Sequence, residues 1–284
     1  MDQEAIGEKD IVIRHYDGSI NIDTIEAQGD TTTVLLVAME SKGKNPRHAK
    51  IVELAGVLIE VESDSGKVVR LLNQQHWFQD PEEEEPFSEG FTHKTGITEE
   101  LVSGKSIDGR EFEDMVQGAD IVVAYNAGFV RPILSEQFPS VEDAIFACAR
   151  NQIDWSQKGH ESRSLHHLTR DHLWFCDERR CPEQCGILLK LLTTDKTPEG
   201  EDANYLKELM DRAQEPLITI EAKVEHHQKH LMRKERFFWD SRERTHIRVM
   251  GTSTLERVKR NLESRGFSGE LIERDRLPAT ERFK

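Results

Sequence analysis

The sequence predicts an α/β fold, a mixed sheet flanked by helices with a small α+β region after it, and three observations carry that reading. Runs rich in β-branched and other apolar residues at 33–39, 51–61 and 68–74 are joined by short turns such as Asp64-Ser65-Gly66, the pattern of an antiparallel meander. Residues 121–125 (Ile-Val-Val-Ala-Tyr) form a continuous apolar run, as expected of a parallel strand covered on both faces. Helical signals then alternate with strand signals, so helices should lie against the sheet.

Taken in order, residues 1–30 hold an apolar group at 11–13 and then Ile20, Ile22 and Ile25 around Asp17-Gly18, which reads as a small hairpin or an extended arm. Residues 80–86 (DPEEEEP) break the strand pattern and form a solvated loop. Thr98 is placed to cap a helix whose first turn holds Glu99 and Glu100, where carboxylates suit the helix dipole. A second helix is expected over 109–117. Pro132 should open a helix over 133–138, and two more should cover 162–175 and 182–192. Residues 193–204 are polar and turn-rich and read as a linker. Beyond it come a helix at 205–213, a strand at 217–220, a helical stretch at 223–235, a strand at 245–249 and a helix at 253–266. The expected organisation is therefore an N-terminal arm (1–30), a main domain (31–192), a linker (193–204) and a small basic C-terminal domain (205–284).

At 284 residues the chain can bury a core unaided. No 18-residue apolar run and no basic-plus-apolar leader occur, and four cysteines are too few for a disulfide framework, so the expectation is a cytoplasmic protein without membrane contact. The net charge of −15 is unevenly placed. Residues 1–150 carry 13 basic and 29 acidic side chains, a net of −16, whereas residues 223–284 carry 16 basic and 10 acidic, a net of +6. The first half would repel a polyphosphate and attract a basic protein surface.

Residues 34–40, followed by Ile51-Val52-Glu53-Leu54-Ala55-Gly56-Val57, then Tyr125-Asn126-Ala127-Gly128-Phe129-Val130-Arg131-Pro132, then Ser164-Leu165-His166-His167-Leu168 with residues 175–185, carry a resemblance to DnaQ-like 3′–5′ exonucleases of the DEDDh, ribonuclease-H-like group. It covers about 31–192 and more weakly the tail around Phe237-Phe238-Trp239-Asp240. It implies two divalent cations held by four carboxylates, with a histidine base activating water. At the matching positions this chain has Ala38, Glu40, Val130, Arg179 and Gln184, so of the four acids and the histidine only Glu40 remains. One carboxylate cannot cage a pair of hard cations. A guanidinium stays protonated and cannot act as a base; placed where a metal would sit, Arg179 should pair with Glu40. Glu183 lies one helical step, about 100°, from Gln184 and should point elsewhere. The expectation is a pseudoenzyme with no metal, no cofactor and no catalytic residue.

Cys176, Cys181 and Cys185 with His172 could suggest zinc, but Cys181 and Cys185 fall four apart on the core face of a helix, where packing explains them. His226, His227 and His230 offer a metal-capable i,i+4 pair and are better read as a polar surface helix. The strongest surface signal is acidic. Asp80, Glu82, Glu83, Glu84, Glu85, Glu89, Glu99, Glu100, Asp108, Glu111, Glu113 and Asp114 crowd one 35-residue stretch against only Lys94, Lys105 and Arg110. Such self-repulsion is costly unless binding offsets it.

The chain is therefore expected to present this acidic surface to basic, RNA-binding segments of a protein partner, displacing nucleic acid without binding it directly. The same combination resembles an acidic, dimeric phage protein of DnaQ-like fold that interacts with the RNA degradosome. That resemblance implies a homodimer acting in the host cytoplasm on the endoribonuclease RNase E, with inhibition of RNA turnover. The alternative is a metal-dependent 3′–5′ exonuclease with residual or relocated activity, the +6 tail holding a strand.

Overall fold

Alternation in the long N-terminal strands decides how the sheet is covered. The computed structural model describes residues 13–43, 45–82, 85–176 and 179–284. Ile11 and Val12 of the N-terminal apolar group lie outside the described residues. The chain forms two compact units, residues 1–210 with Phe283, and residues 211–282 with Lys284.

In the first unit the strands are β1 (Arg14–His15), β2 (Thr31–Lys42), β3 (Lys50–Glu62), β4 (Val68–Phe78), β5 (Ile121–Ala124), β6 (Phe146–Cys148) and β7 (Trp174–Phe175). The helices are α1 (Glu89–Thr95), α2 (Glu99–Val102), α3 (Gly109–Gln117), α4 (Ala127–Gln137), α5 (Ala149–Gln152), α6 (Leu165–Asp171) and α7 (Cys181–Leu192), and α8 (Tyr205–Gln214) begins there. The main sheet runs β4-β3-β2-β5-β6. β2, β3 and β4 form the expected antiparallel meander, and β5 and β6 join in parallel. Side chains alternate across β2. Leu35, Val37 and Met39 enter a core with Phe112 and Met115 of α3, Ile133 and Leu134 of α4, and Phe146. Val34, Leu36, Ala38 and Glu40 therefore point to the other face, where α7 packs.

Local chemistry explains the differences from the sequence reading. α4 starts at Ala127, and Pro132 lies inside it. Proline there forfeits one helical hydrogen bond, to the Gly128 carbonyl, which burial of Ile133 and Leu134 offsets. The helix expected over 162–175 stops at Asp171. Leu173 adopts a left-handed φ of 60°, and Trp174–Phe175 turns into β7, which pairs in parallel with β1. Among the described residues, 13–30 therefore run as an extended arm, with Arg14–His15 pairing to β7. Asp17 Oδ1 accepts the Ser19 amide at 2.9 Å across a turn at Gly18 (φ 79°), and farther on the Ile25 amide reaches the Val69 carbonyl at 3.0 Å. Gly18 lies flush against α7: a Cβ on it would sit 2.6 Å from Glu183 Cα, and a Cβ on Gly186 would strike the Gly18 carbonyl. Together with Leu189, Leu192, Lys67 and Asn204, the arm lines a cavity of about 650 Å³. Helix α1, capped by Ser88, and strand β6 have no counterpart in the sequence reading.

The second unit contains β8 (Leu217–Lys223), α9 (Lys229–Lys234), β9 (Phe238–Asp240), β10 (Thr245–Gly251), α10 (Thr252–Glu263) and β11 (Glu270–Leu277). Neighbouring strands are antiparallel in the order β11-β8-β10-β9, a β-α-β-β-α-β arrangement. Ile218, Ile220, Ala222 and Met250 of the sheet pack with Leu231, Met232, Val258 and Leu262 of the helices. This is the small α+β region the sequence predicts, with edge strands β9 and β11 added. Among the described residues no helix is long and apolar enough to cross a membrane.

Candidate functional site

β2 and β3 set Glu40 directly opposite Glu53, two residues beyond the Ala38–Ala55 pair. Like charges facing each other across strands destabilise a sheet unless each is answered. Glu40 is answered by Gln184 of α7, whose Nε2 donates to Oε1 at 2.9 Å, and by Lys94 of α1, whose Nζ lies 3.6 Å from Oε2. Glu53 is wholly buried and more elaborately held. Its Oε1 accepts from Arg180 Nη2 at 2.7 Å and Nε at 2.9 Å, and meets His76 Nε2 at 2.8 Å. Its Oε2 accepts the Cys181 amide at 3.2 Å, at the N-terminus of α7. Burial alone raises the Glu53 pKa; hydrogen bonds from His76 and Arg180, the guanidinium charge and the Cys181 amide outweigh it, and the carboxyl stays below its ordinary value. The Arg180 guanidinium also lies 4.9 Å over the Phe78 ring.

The centre is therefore built from a residue that motif matching overlooked. Glu53 is a lone charge in the apolar run 51–59, and that was the available signal: a carboxylate on a fully covered strand needs a partner. The cation differs as well. Sequence matching pairs Arg179 with Glu40; in the structure Lys94 approaches Glu40, Arg180 enters to Glu53, and Arg179 is exposed beside His15, Asp17 and Glu183. Arg180 precedes α7 and turns inward, one residue later than the motif alignment expects. Val130 is absorbed into the core with α4, and Ala38 is buried on the α7 face. Glu183 points away from Gln184, as the helical step predicts; its Oε2 is buried without a hydrogen-bond partner among the described residues.

The donor set does not suit two divalent cations. Glu40 and Glu53 are adjacent acids, yet the oxygens of Glu53 are taken by a guanidinium, an imidazole and a backbone amide, and Gln184 turns its NH2 toward Glu40. Among the described residues no group of three His, Cys, Asp or Glu side chains is placed to hold a metal ion. Beside Glu40 lies a cavity of about 710 Å³ lined by Lys42, Phe87, Phe91, Lys94 and Phe129.

The acidic stretch divides on inspection. Glu83 and Glu84 lie outside the described residues. Five other acids act within the fold. Asp80 accepts the Gly104 amide at 2.8 Å and the Glu82 amide at 2.9 Å, bonds that hold its pKa low. Asp108 caps α3 through the Glu111 amide at 3.0 Å, and Glu99 accepts the Phe87 amide. Glu111 accepts Trp77 Nε1 at 3.3 Å, and Glu113 accepts the Ser140 amide at 3.2 Å. Glu82, Glu85, Glu89, Glu100 and Asp114 are exposed, and for Glu100 bonds from its own amide and Thr98 lower the pKa. These bonds tie 79–82, 87, 99–107 and 108–113 into a connected surface around the end of β4.

Of the remaining candidates, Cys181 and Cys185 pack in the core. Cys181 Sγ donates to the Glu53 carbonyl at 3.7 Å, and Cys185 Sγ lies 3.7 Å from the Ala55 carbonyl. Burial drives the Cys181 thiol far above its ordinary pKa and pushes Cys185 up to about 12. His226, His227 and His230 are exposed on α9 and the 3-10 turn before it.

Comparison with protein-family models and with curated proteins finds no match. Among solved structures, E. coli exonuclease I in complex with a dA16 oligonucleotide is similar at a TM-score of 0.45 and 14% identity, over 84% of this chain and 68% of that one. Another exonuclease I structure gives 0.43 and 16% over 66% and 48%, so this chain spans about half the length of that protein. A 3′-exonuclease that recognises the histone mRNA stem-loop gives 0.42 and 12% over 56% and 79%. These similarities to exonucleases are distant.

Proposed function

We propose that this chain is a catalytically inactive relative of the DnaQ-like exonucleases that works by binding a basic protein segment on its acidic surface. The observation that supports loss of catalysis is the Arg180–Glu53 pair at 2.7 Å, a fixed cation of the chain itself in the centre where divalent cations would be needed. Exposed carboxylates at Glu82, Glu85, Glu89, Glu100 and Asp114 support the binding role, because they face solvent on a surface held by its own hydrogen bonds. Carboxylates so placed can occupy Arg and Lys groups that would otherwise neutralise phosphates, and so displace RNA from a partner. The resemblance read from the sequence offers RNase E as the partner to try first, and a homodimer as the acting form.

The test has two arms. The full chain with magnesium or manganese should leave labelled single-stranded DNA and RNA intact; degradation abolished by Glu40→Ala would defeat the reading. The RNA-binding segment of RNase E should bind with salt-sensitive affinity that drops when Glu82, Glu85, Glu89, Glu100 and Asp114 are neutralised together, and light scattering should give twice the chain mass. The cavity beside Glu40, with three phenylalanines and two lysines, favours the second reading, a residual exonuclease, and the first arm decides between them.

A further inference from the structure

The basic second unit carries an aromatic ring that its own core does not need. Trp239 on the edge strand β9 is 49% exposed, although a residue of its size is normally well covered. The indole is braced within the unit: its ring meets that of His246 at 4.9 Å and 65°, and Lys229 Nζ lies 5.3 Å from its centroid, yet half of its surface stays open. Lys229 and Arg233 stand one helical turn apart on α9 and share one concavity of about 480 Å³ with Phe237, Trp239 and His246. Among the described residues neither cation forms an ion pair with a carboxylate. Their field is felt inside the unit, because after burial the charges of Lys229 and Arg233 are the next causes that lower the His246 pKa. Two neighbouring cations without an acid repel each other, and the arrangement becomes favourable only when an anion arrives.

We propose that the concavity bounded by Trp239, Lys229 and Arg233 binds single-stranded nucleic acid, with one base stacked on the indole and the flanking phosphates on the two cations. A single strand is favoured over a duplex because only an unpaired base offers its face to a side chain. It is favoured over an acidic peptide because the open indole gives a carboxylate nothing to bind, whereas it suits any base. The expectation that nucleic acid is repelled holds for the acidic first 150 residues; the net charge of +6 over 223–284 removes that objection here.

The experiment is fluorescence anisotropy of labelled oligouridylate and oligothymidylate with the full chain, alongside quenching of tryptophan emission. Binding should weaken about tenfold in Trp239→Leu and persist in Trp239→Phe, since both fill the site but only one stacks. Lys229→Gln with Arg233→Gln should weaken binding and flatten the slope of affinity against salt by about 1.4, two phosphates on a single strand. No binding at low salt, or binding indifferent to both sets of variants, overturns the proposal. So does equal affinity for a polyglutamate peptide, or binding that needs the cations but ignores Trp239→Leu, which would mark a plain polyanion surface.

Discussion

Arg180 and Glu53, 127 residues apart in sequence, meet in a two-pronged contact that fastens the start of α7 to β3, the strand between β4 and the central β2. The α7 N-terminus and the His76 ring meet the same carboxylate, so Glu53 is held by a guanidinium, an imidazole and a backbone amide at once. With the guanidinium on its carboxylate, the pair braces α7 against β3.

Removing one partner leaves a buried charge unanswered. Arg180→Ala should lower the free energy of unfolding by about 3–5 kcal/mol, read from urea denaturation. Arg180→Ala combined with Glu53→Gln should recover part of that loss, because the orphaned charge is gone; a double variant less stable than Arg180→Ala would contradict the pairing.

Two groups give the stability an acid-side dependence of stated sign. Glu53 has a lowered folded pKa, so its contribution is present above its ordinary value of 4.5 and is lost as pH falls through the folded value. His172 is pushed by burial, then by His160, from 6.5 to about 4, so it folds neutral. The unfolded chain binds its proton first, and stability should decline as pH drops from 6.5 toward 4. Thermal midpoints across that range should flatten in His172→Phe, and the loss below 4.5 should shrink in Glu53→Gln.

The thiols should differ sharply in reactivity. Cys148, Cys181 and Cys185 are buried, whereas Cys176 is partly exposed. A disulfide reagent should titrate one thiol per native chain and four in denaturant, and Cys176→Ser should abolish the native signal.

Gly186→Ala would drive a methyl into the Gly18 carbonyl. The arm should leave its seat, at an overpacking cost of about 1–3 kcal/mol if it stays. Limited proteolysis should then cut between Tyr16 and Asp30 in the variant and spare the parent chain.

Much of this was legible beforehand. The β2–β4 meander, β5, α3 and the buried face of α7 follow from apolar periodicity that long-range packing reinforces, and Thr98 caps α2 as its sequence signals. What escaped was short or long-range: β1 and β7 have two residues each and exist because they pair with one another, β9 is an edge strand of three residues, and β11 is an edge strand rich in charge. Motif matching picked out Glu40 and Gln184, which meet, but not Glu53 and Arg180, since the choice between Arg179 and Arg180 depends on where the chain turns into α7. Half of the described acidic stretch proved to serve caps and turns, a use invisible to charge counting.

The arm has one last implication. Since residues from Tyr16 to Ile25 supply a wall of the 650 Å³ cavity, the hollow exists only while that ribbon is seated. Detachment would abolish the chamber outright instead of opening a door into it, so any molecule lodged there would act as a rivet, and amide exchange along the ribbon would slow in proportion to its occupancy.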